Sequence, residues 1–207
     1  MSDSEKAVFD SVRSALKAKG EKTPYPEYDT ADLIARPRLE SGGLWQSFSK
    51  NISAVNGKAM RSIDELVSFL LEKKCRFGHC SLEWDSTIGE AIRAAGMRTS
   101  TEFDRERFED YEFGITSGSG AVAETGTIVL TDAETSDRLA ALSPWIHIAV
   151  ITEDQLVESL GDAIGRFDEN NYIVWATGPS KTADVEGILI EGVHGPGEQI
   201  CLCLPNR

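Results

Sequence analysis

The sequence predicts an α/β layered fold with a largely parallel sheet and flanking helices. Three observations carry this. Short apolar runs and longer amphipathic stretches alternate along the 207 residues. Several of the runs, such as Trp145–Ile151 (interrupted only by His147) and Tyr172–Ala176, carry apolar residues on both faces, as buried strands do. Tight glycine-containing turns interrupt the pattern, as chain reversals between layers require.

The elements follow in order. Ser4 to Lys19 places Ala7, Val8, Val12, Ala15 and Leu16 near helical spacing, and Gly20 is a natural stop. Glu21 to Arg38 carries prolines at 24, 26 and 37 and little apolar content, so it reads as an extended arm. Residues 1–40 are therefore expected to form an N-terminal helix and arm, and residues 41–207 the α/β domain. Leu44 to Val55 repeats the helical spacing and ends at Asn56-Gly57. Lys58 to Met60 is a short strand. Ser62 and Glu65 form a capping box for the next helix, near whose end stand Lys73 and Lys74. Phe77 to Trp84 is read as a strand, Ser86 to Ala95 as a helix, and Arg98 to Asp110 as a solvated charged segment. Phe113 to Gly120 is read as a glycine-rich stretch, followed by strands at Ile128–Leu130 and Trp145–Ile151 and helices at Arg138–Leu142 and Asp154–Ile164. A strand ending at Ala176, a turn, a helix beginning near Ser180 and a last strand at Ile200–Leu204 complete the expectation.

Composition narrows the function classes. The 41% hydrophobic and 27% charged content is ordinary for a globular domain. No apolar run approaches the roughly 18 residues of a membrane span. The acidic start, Met1-Ser2-Asp3-Ser4-Glu5, does not resemble a secretory signal, so a cytoplasmic location is expected. The net charge is −13, and it belongs to one half: Phe108 to Arg207 holds 17 acidic and 4 basic residues. Such a field opposes nucleic acid and anionic membrane. Cys75, Cys80, Cys201 and Cys203 lack the tight C-x-x-C spacing of metal sites, a disulfide framework is not expected in a cytoplasmic chain, and they read as small buried hydrophobes.

Four places can carry chemistry. In Thr177-Gly178-Pro179-Ser180-Lys181-Thr182-Ala183-Asp184, a turn between strand and helix offers backbone N–H groups, hydroxyls and an ammonium to a small anion. The alternative is a structural turn with Ser180 as N-cap. The P-loop spacing is absent. In Ser117 to Thr127, including Ser119, Glu124, Thr125, Gly126 and Thr127, small residues permit close approach of a backbone or ligand. Glu124 there is either a nucleophile or general base, or a brace for the loop. His194, in Gly-Val-His-Gly-Pro-Gly, is either an acid or base or a turn residue. His147 lies mid-strand and reads as a core histidine; His79, beside Cys80, makes only half a metal site. Arg138 either snorkels over apolar surface or grips a carboxylate. No cofactor motif and no metal site is discerned.

Ala123-Glu124-Thr125-Gly126-Thr127, then Arg138, Pro144 and His147, then Thr177 to Glu186, then Gly192-Val193-His194-Gly195-Pro196, resemble the LUD-domain family and within it lactate-utilisation protein C. The likeness is close over the C-terminal half and looser from Leu44. Lys181 stands where the family more often has Arg, and Val185 where it often has Ile. The resemblance implies a fold similar to sugar-phosphate isomerases and CoA transferases (the NagB/RpiA/CoA transferase-like architecture). It implies a role, accessory or catalytic, in oxidising L-lactate to pyruvate beside iron–sulfur partner proteins; the small anionic ligand is what the glycine-containing turns themselves suggest. The alternative is a CoA-dependent acyl-transfer or phosphosugar-binding enzyme using Glu124 as nucleophile or base. The glycine-rich turns are expected to converge beyond the carboxyl ends of the strands, and an oligomer is compatible with the arm.

Overall fold

The computed structural model describes residues 3–18, 39, 41–132, 138–167, 172–183 and 187–206. The chain divides into two units, Met1–Ile34 and Ala35–Arg207. The described part of the first is helix α1 (Asp3–Ala18), with Arg13 paired to Asp10 at 3.5 Å and Lys17 in the last turn. Gly20 and the expected arm, Glu21 to Arg38, fall outside the described residues.

The second unit opens with α2 (Leu44–Ala54). Asn56, at φ 68°, turns the chain out of it, and the Gly57 N–H returns to the Ile52 carbonyl at 2.9 Å. Strand β1 (Lys58–Met60) and helix α3 (Ile63–Glu72) follow. The Ser62 hydroxyl accepts the Glu65 N–H at 3.1 Å, but the Glu65 carboxylate reaches the Arg61 N–H at 3.4 Å rather than that of Ser62. Half of the expected capping box is thus shifted by one residue.

Next come β2 (Phe77–Cys80), α4 (Leu82–Trp84), a π-helical turn (Asp85–Gly89) and α5 (Glu90–Ala94). The strand expected to reach Trp84 stops at Cys80, because Ser81 turns the chain and its carbonyl receives the Trp84 N–H at 3.0 Å. The charged segment begins with a short strand, β3 (Arg98–Ser100), before a 3₁₀ turn at Arg105–Asp110. As an edge strand β3 tolerates Arg98, whose guanidinium lies over the Phe77 ring.

The glycine-rich stretch is strand β4 (Phe113–Ser117), buried throughout, then β5 (Gly120–Val122) and β6 (Thr127–Thr131). Gly114 serves helix packing there: a Cβ would lie 2.0 Å from the Ala140 carbonyl oxygen. Helix α6 (Arg138–Leu142) and β7 (Ile146–Thr152) follow as expected. The Asp154–Ile164 helix does not form as such. Gln155 is bound by the Thr152 N–H at 2.8 Å in a 3₁₀ turn, and Leu156–Val157 become strand β8 before α7 (Leu160–Phe167). After β9 (Ile173–Ala176), Lys181–Thr182 form strand β10 against β11 (Ile190–Glu191) instead of a helix start. The chain closes with β12 (Glu198–Leu204).

Six strands make an all-parallel sheet in the order β1-β12-β7-β4-β2-β3. A second sheet, β8-β5-β6-β9, is mixed: β5/β6 and β6/β9 run antiparallel and β5/β8 parallel. The architecture is therefore α/β with mixed sheets and flanking helices, more antiparallel than expected. Alternate side chains of β7 serve different cores. Ile146, Ile148 and Val150 join Leu66, Leu70, Ile88 and Ile92 from α3, the π-helical turn and α5. Ala149 and Ile151 join Phe48 and Ile52 of α2 and Ala121, Ile128 and Leu130 of the second sheet. Both faces are covered, which explains the unbroken apolar run. Cys201 and Cys203 also sit in this inter-sheet core, and all four cysteines are free and buried.

Candidate functional site

The C-terminal end of α2 gathers most of the residues singled out above. Its last carbonyls have no helical partner. The Lys181 ammonium donates to one of them, the Val55 oxygen, at 2.9 Å, placing a cation where the helix dipole favours it. Glu191 stands on the other side of that ammonium at 3.4 Å, across the β10/β11 pair. Glu191 also accepts the Asn56 side-chain N–H at 2.7 Å; that bond, then Lys181, holds its carboxyl below the usual range. Gly178, at φ 78°, passes so close to α2 that a Cβ would lie 2.5 Å from the Val55 oxygen.

The β5–β6 turn meets the same helix one turn earlier. Asn51 donates from its side chain to the carbonyls of Ala123 and Glu124, at 2.8 and 3.1 Å. Gly126, at φ 68°, lies against the α2 backbone, where a Cβ would be 2.2 Å from the Ile52 nitrogen. Hydroxyls link this turn to the strand that leads into Gly178: Thr125 to Thr127 and Thr127 to Thr177, both at 2.7 Å. Glu124 is 8% exposed, and its carboxylate accepts the Leu160 N–H at the start of α7 at 3.3 Å. Glu124, on the β5–β6 turn, and Lys181, on β10, thus belong to segments anchored to one helix, with their charged ends on different partners.

The turn that carries His194 joins through Ser180. Its N–H donates to the Pro196 carbonyl and its own carbonyl accepts the Gly192 N–H, each at 2.9 Å. His194 is exposed. Gly192 and Gly197 lie against the Trp145 indole, where a Cβ on either would come within 2.4 Å of a ring carbon. Thr182 pairs with Ile190 in the same small ribbon.

Two residues lie elsewhere. The buried Ser119 hydroxyl is bonded to the Thr131 hydroxyl at 2.8 Å and the Thr131 N–H at 3.0 Å. Arg138 pairs with Asp132 at 3.1 Å and lies over the Tyr172 ring. Since Thr131 pairs with Ile173 and Ile128 with Ala176, Arg138 belongs to the opposite end of the β6/β9 pair from Thr127 and Thr177. That is about 17 Å along the strand. Asp184 lies outside the described residues.

The knot also forms at the other edge of the parallel sheet from the one expected. The His194 turn feeds the amino end of β12, and α2 leads into the amino end of β1, where Lys58 pairs with Glu198. Asn51, Val55 and Glu191 escaped the sequence reading. A polar residue at position 51 of an otherwise amphipathic helix carries no sign of which distant carbonyls it will meet.

His147 is a core residue, as expected. Its Nε2 lies 2.9 Å from the Thr116 hydroxyl, and the Gln199 amide lies against Nδ1. Burial pushes the imidazole down to about 4, against a smaller upward pull from Gln199. Among the described residues no group of three or more His, Cys, Asp or Glu is placed to hold a metal, and no helix is long and apolar enough to cross a membrane.

A lactate utilization protein C from Deinococcus radiodurans is 37% identical over 116 residues, 53% of this chain and 52% of that protein. One from Bacillus subtilis is 29% identical over 133 residues, 60% and 50% of the two chains. The chain thus spans about half the length of the curated relatives it matches. Its structure is similar to that of a DUF162 family protein from Deinococcus radiodurans, with TM-score 0.41 and 21% identity, covering 70% of this chain and 96% of that one. The model of the LUD domain matches residues 78–204, more than half of the sequence, and the chain belongs to the LUD-domain family.

Proposed function

We propose that the chain serves in the oxidation of L-lactate to pyruvate, as a component that binds a small carboxylate and works beside iron–sulfur partner proteins. The lactate reading rests on the named relatives. The carboxylate reading rests on one observation: Lys181 already holds a carboxylate, that of Glu191, on a surface shared with Ser180 and the His194 turn. A lactate or pyruvate carboxylate matches Glu191 in charge and size and takes its place at the ammonium. Among Phe108 to Arg207, so rich in acids, cations for such a ligand are few. The layered fold is read as similar to that of sugar-phosphate isomerases and CoA transferases.

The test is thermal unfolding with L-lactate, pyruvate, a sugar phosphate and CoA in turn. A ligand at 100 times its Kd stabilises by about 2.7 kcal/mol. Lactate or pyruvate is expected to raise Tm, and Lys181→Met to abolish the rise. A rise with the sugar phosphate or CoA alone would transfer the assignment to phosphosugar binding or to acyl transfer through Glu124. The lactate reading fails if neither carboxylate shifts Tm and a deletion strain still grows on L-lactate.

A further inference from the structure

The amino edge of the parallel sheet holds a cavity of about 530 Å³ that the lactate reading does not use. It opens where β4 and β7 begin, between the 3₁₀ turn before β4 and the turn that carries His194. Phe108, Tyr111 and Trp145 supply aromatic walls. Trp145 is 55% exposed and Phe108 42%, although both are large apolar side chains. The indole rests on Gly192 and Gly197, so its position is set by the turn beneath it.

The charges on the wall are unequal. The Lys73 ammonium shares the Glu198 carboxylate with Lys58, so its charge is only partly offset and is set against the two carboxylates of Glu109 and Glu112. Glu112 receives the N–H groups of Arg76 and Phe77. Glu109 also lines the cavity and has no hydrogen bond or ion pair among the described residues. Ser143 lines it too, with its hydroxyl oxygen closed off from solvent. Cys75 adds no charge, since burial pushes its thiol up to about 11. The nearby arginines, Arg76, Arg98 and Arg107, line a separate cavity that shares Glu109, Tyr111 and Glu112 as its border.

Aromatic faces attract cations through their quadrupole, and more strongly when a carboxylate stands beside them and water is partly excluded. A volume of this size fits an organic group rather than a bare ion. We propose that this cavity binds an organic monocation, an ammonium or guanidinium group, with Trp145 and Phe108 against its apolar surface and Glu109 opposite its charge. Two carboxylates on the wall disfavour an anion. The site is independent of Lys181, so it stands or falls apart from the lactate reading.

The experiment is titration calorimetry on the full chain with choline, with the carbon isostere of choline that lacks the charge, with agmatine, and with a short arginine-containing peptide. Choline and agmatine are expected to bind, the isostere about tenfold more weakly or not at all. Glu109→Gln, at an exposed position, is expected to weaken both cations by about three- to tenfold with no change in the unfolding midpoint. Trp145→Leu should do the same, and Glu109→Gln decides if that variant disturbs the turn. A peptide that outbinds agmatine and competes with choline identifies the source as a partner's basic side chain; equal binding identifies a free amine. Equal affinity for choline and its isostere, indifference to Glu109→Gln, or no heat with any cation would overturn the proposal.

Discussion

His147 sits in the middle of the parallel sheet, between Thr116 on β4 and Gln199 on β12. Its depressed pKa has a definite consequence for stability. Above pH 6.5 the imidazole is neutral both folded and unfolded. As pH falls from 6.5 to about 4, the unfolded chain takes up a proton that the native core refuses. The unfolded state then binds more protons, so stability drops with falling pH, by about 3 kcal/mol across that window. Below about 4 both states are protonated and this contribution stops changing. Urea unfolding at pH 7 and pH 4.5 should show this loss in the native sequence and a smaller one in His147→Gln, where the carboxylates are unchanged. Equal losses in the two proteins would remove His147 from the account. The core role of this residue was legible because a lone histidine in an apolar strand has few other uses. Its partners were not, since Thr116 and Gln199 are far away in sequence.

At the scale of an element, α2 explains why two glycine-containing turns are built as they are. The Ser117–Thr127 stretch reads as permitting the close approach of a backbone or ligand. A backbone does approach there, that of Asn51 and Ile52. Gly126 needs both a positive φ, which costs an L-residue roughly 1–2 kcal/mol, and the absence of a Cβ. Gly126→Ala is therefore expected to destabilise by about 2–4 kcal/mol. Gly165→Ala on α7, where a Cβ meets nothing within 4 Å, should instead stabilise by about 0.5–1 kcal/mol. Denaturant midpoints read both; a neutral Gly126→Ala would mean that α2 and the turn separate without cost. The misreadings at this scale share a cause. Leu156–Val157 and Lys181–Thr182 are too short to show a period of two, and each is a strand through pairing with β5 or β11. The charged stretch from Arg98 hid β3 because an edge strand buries too little to look apolar.

For the whole molecule, the decisive arrangement is the layer between the two sheets. Phe48 and Ile52 of α2 fill it together with Ala149, Ile151, Cys201 and Cys203 from the parallel sheet and Ile128 and Leu130 from the mixed one. Cys201 and Cys203 are fully buried there, and burial drives the Cys201 thiol well above its ordinary range. Their modification by a thiol reagent should therefore track opening of the sheets, with a rate that rises in step with global unfolding as urea is added. Rapid labelling of both in native buffer would show that the layers part readily. The chain leaves the parallel sheet for the mixed one from the carboxyl ends of β4 and β7 and returns at the amino ends of β7 and β12, and Gly178, Ser180 and Lys181 lie on that return side.

Residue order by itself determined the α/β class, most of the longer helices and strands, the buried cysteines and the family. Each rests on local periodicity, composition or a run of neighbouring residues. Only the tertiary structure decided that the second sheet is mixed, that the site knot lies at the amino edge, and that Lys181 binds a helix-end carbonyl and Glu191. It also parted Arg138 from the turns that it was grouped with. Those outcomes depend on which distant backbone groups lack a partner once the layers close, and no stretch of sequence carries that information alone.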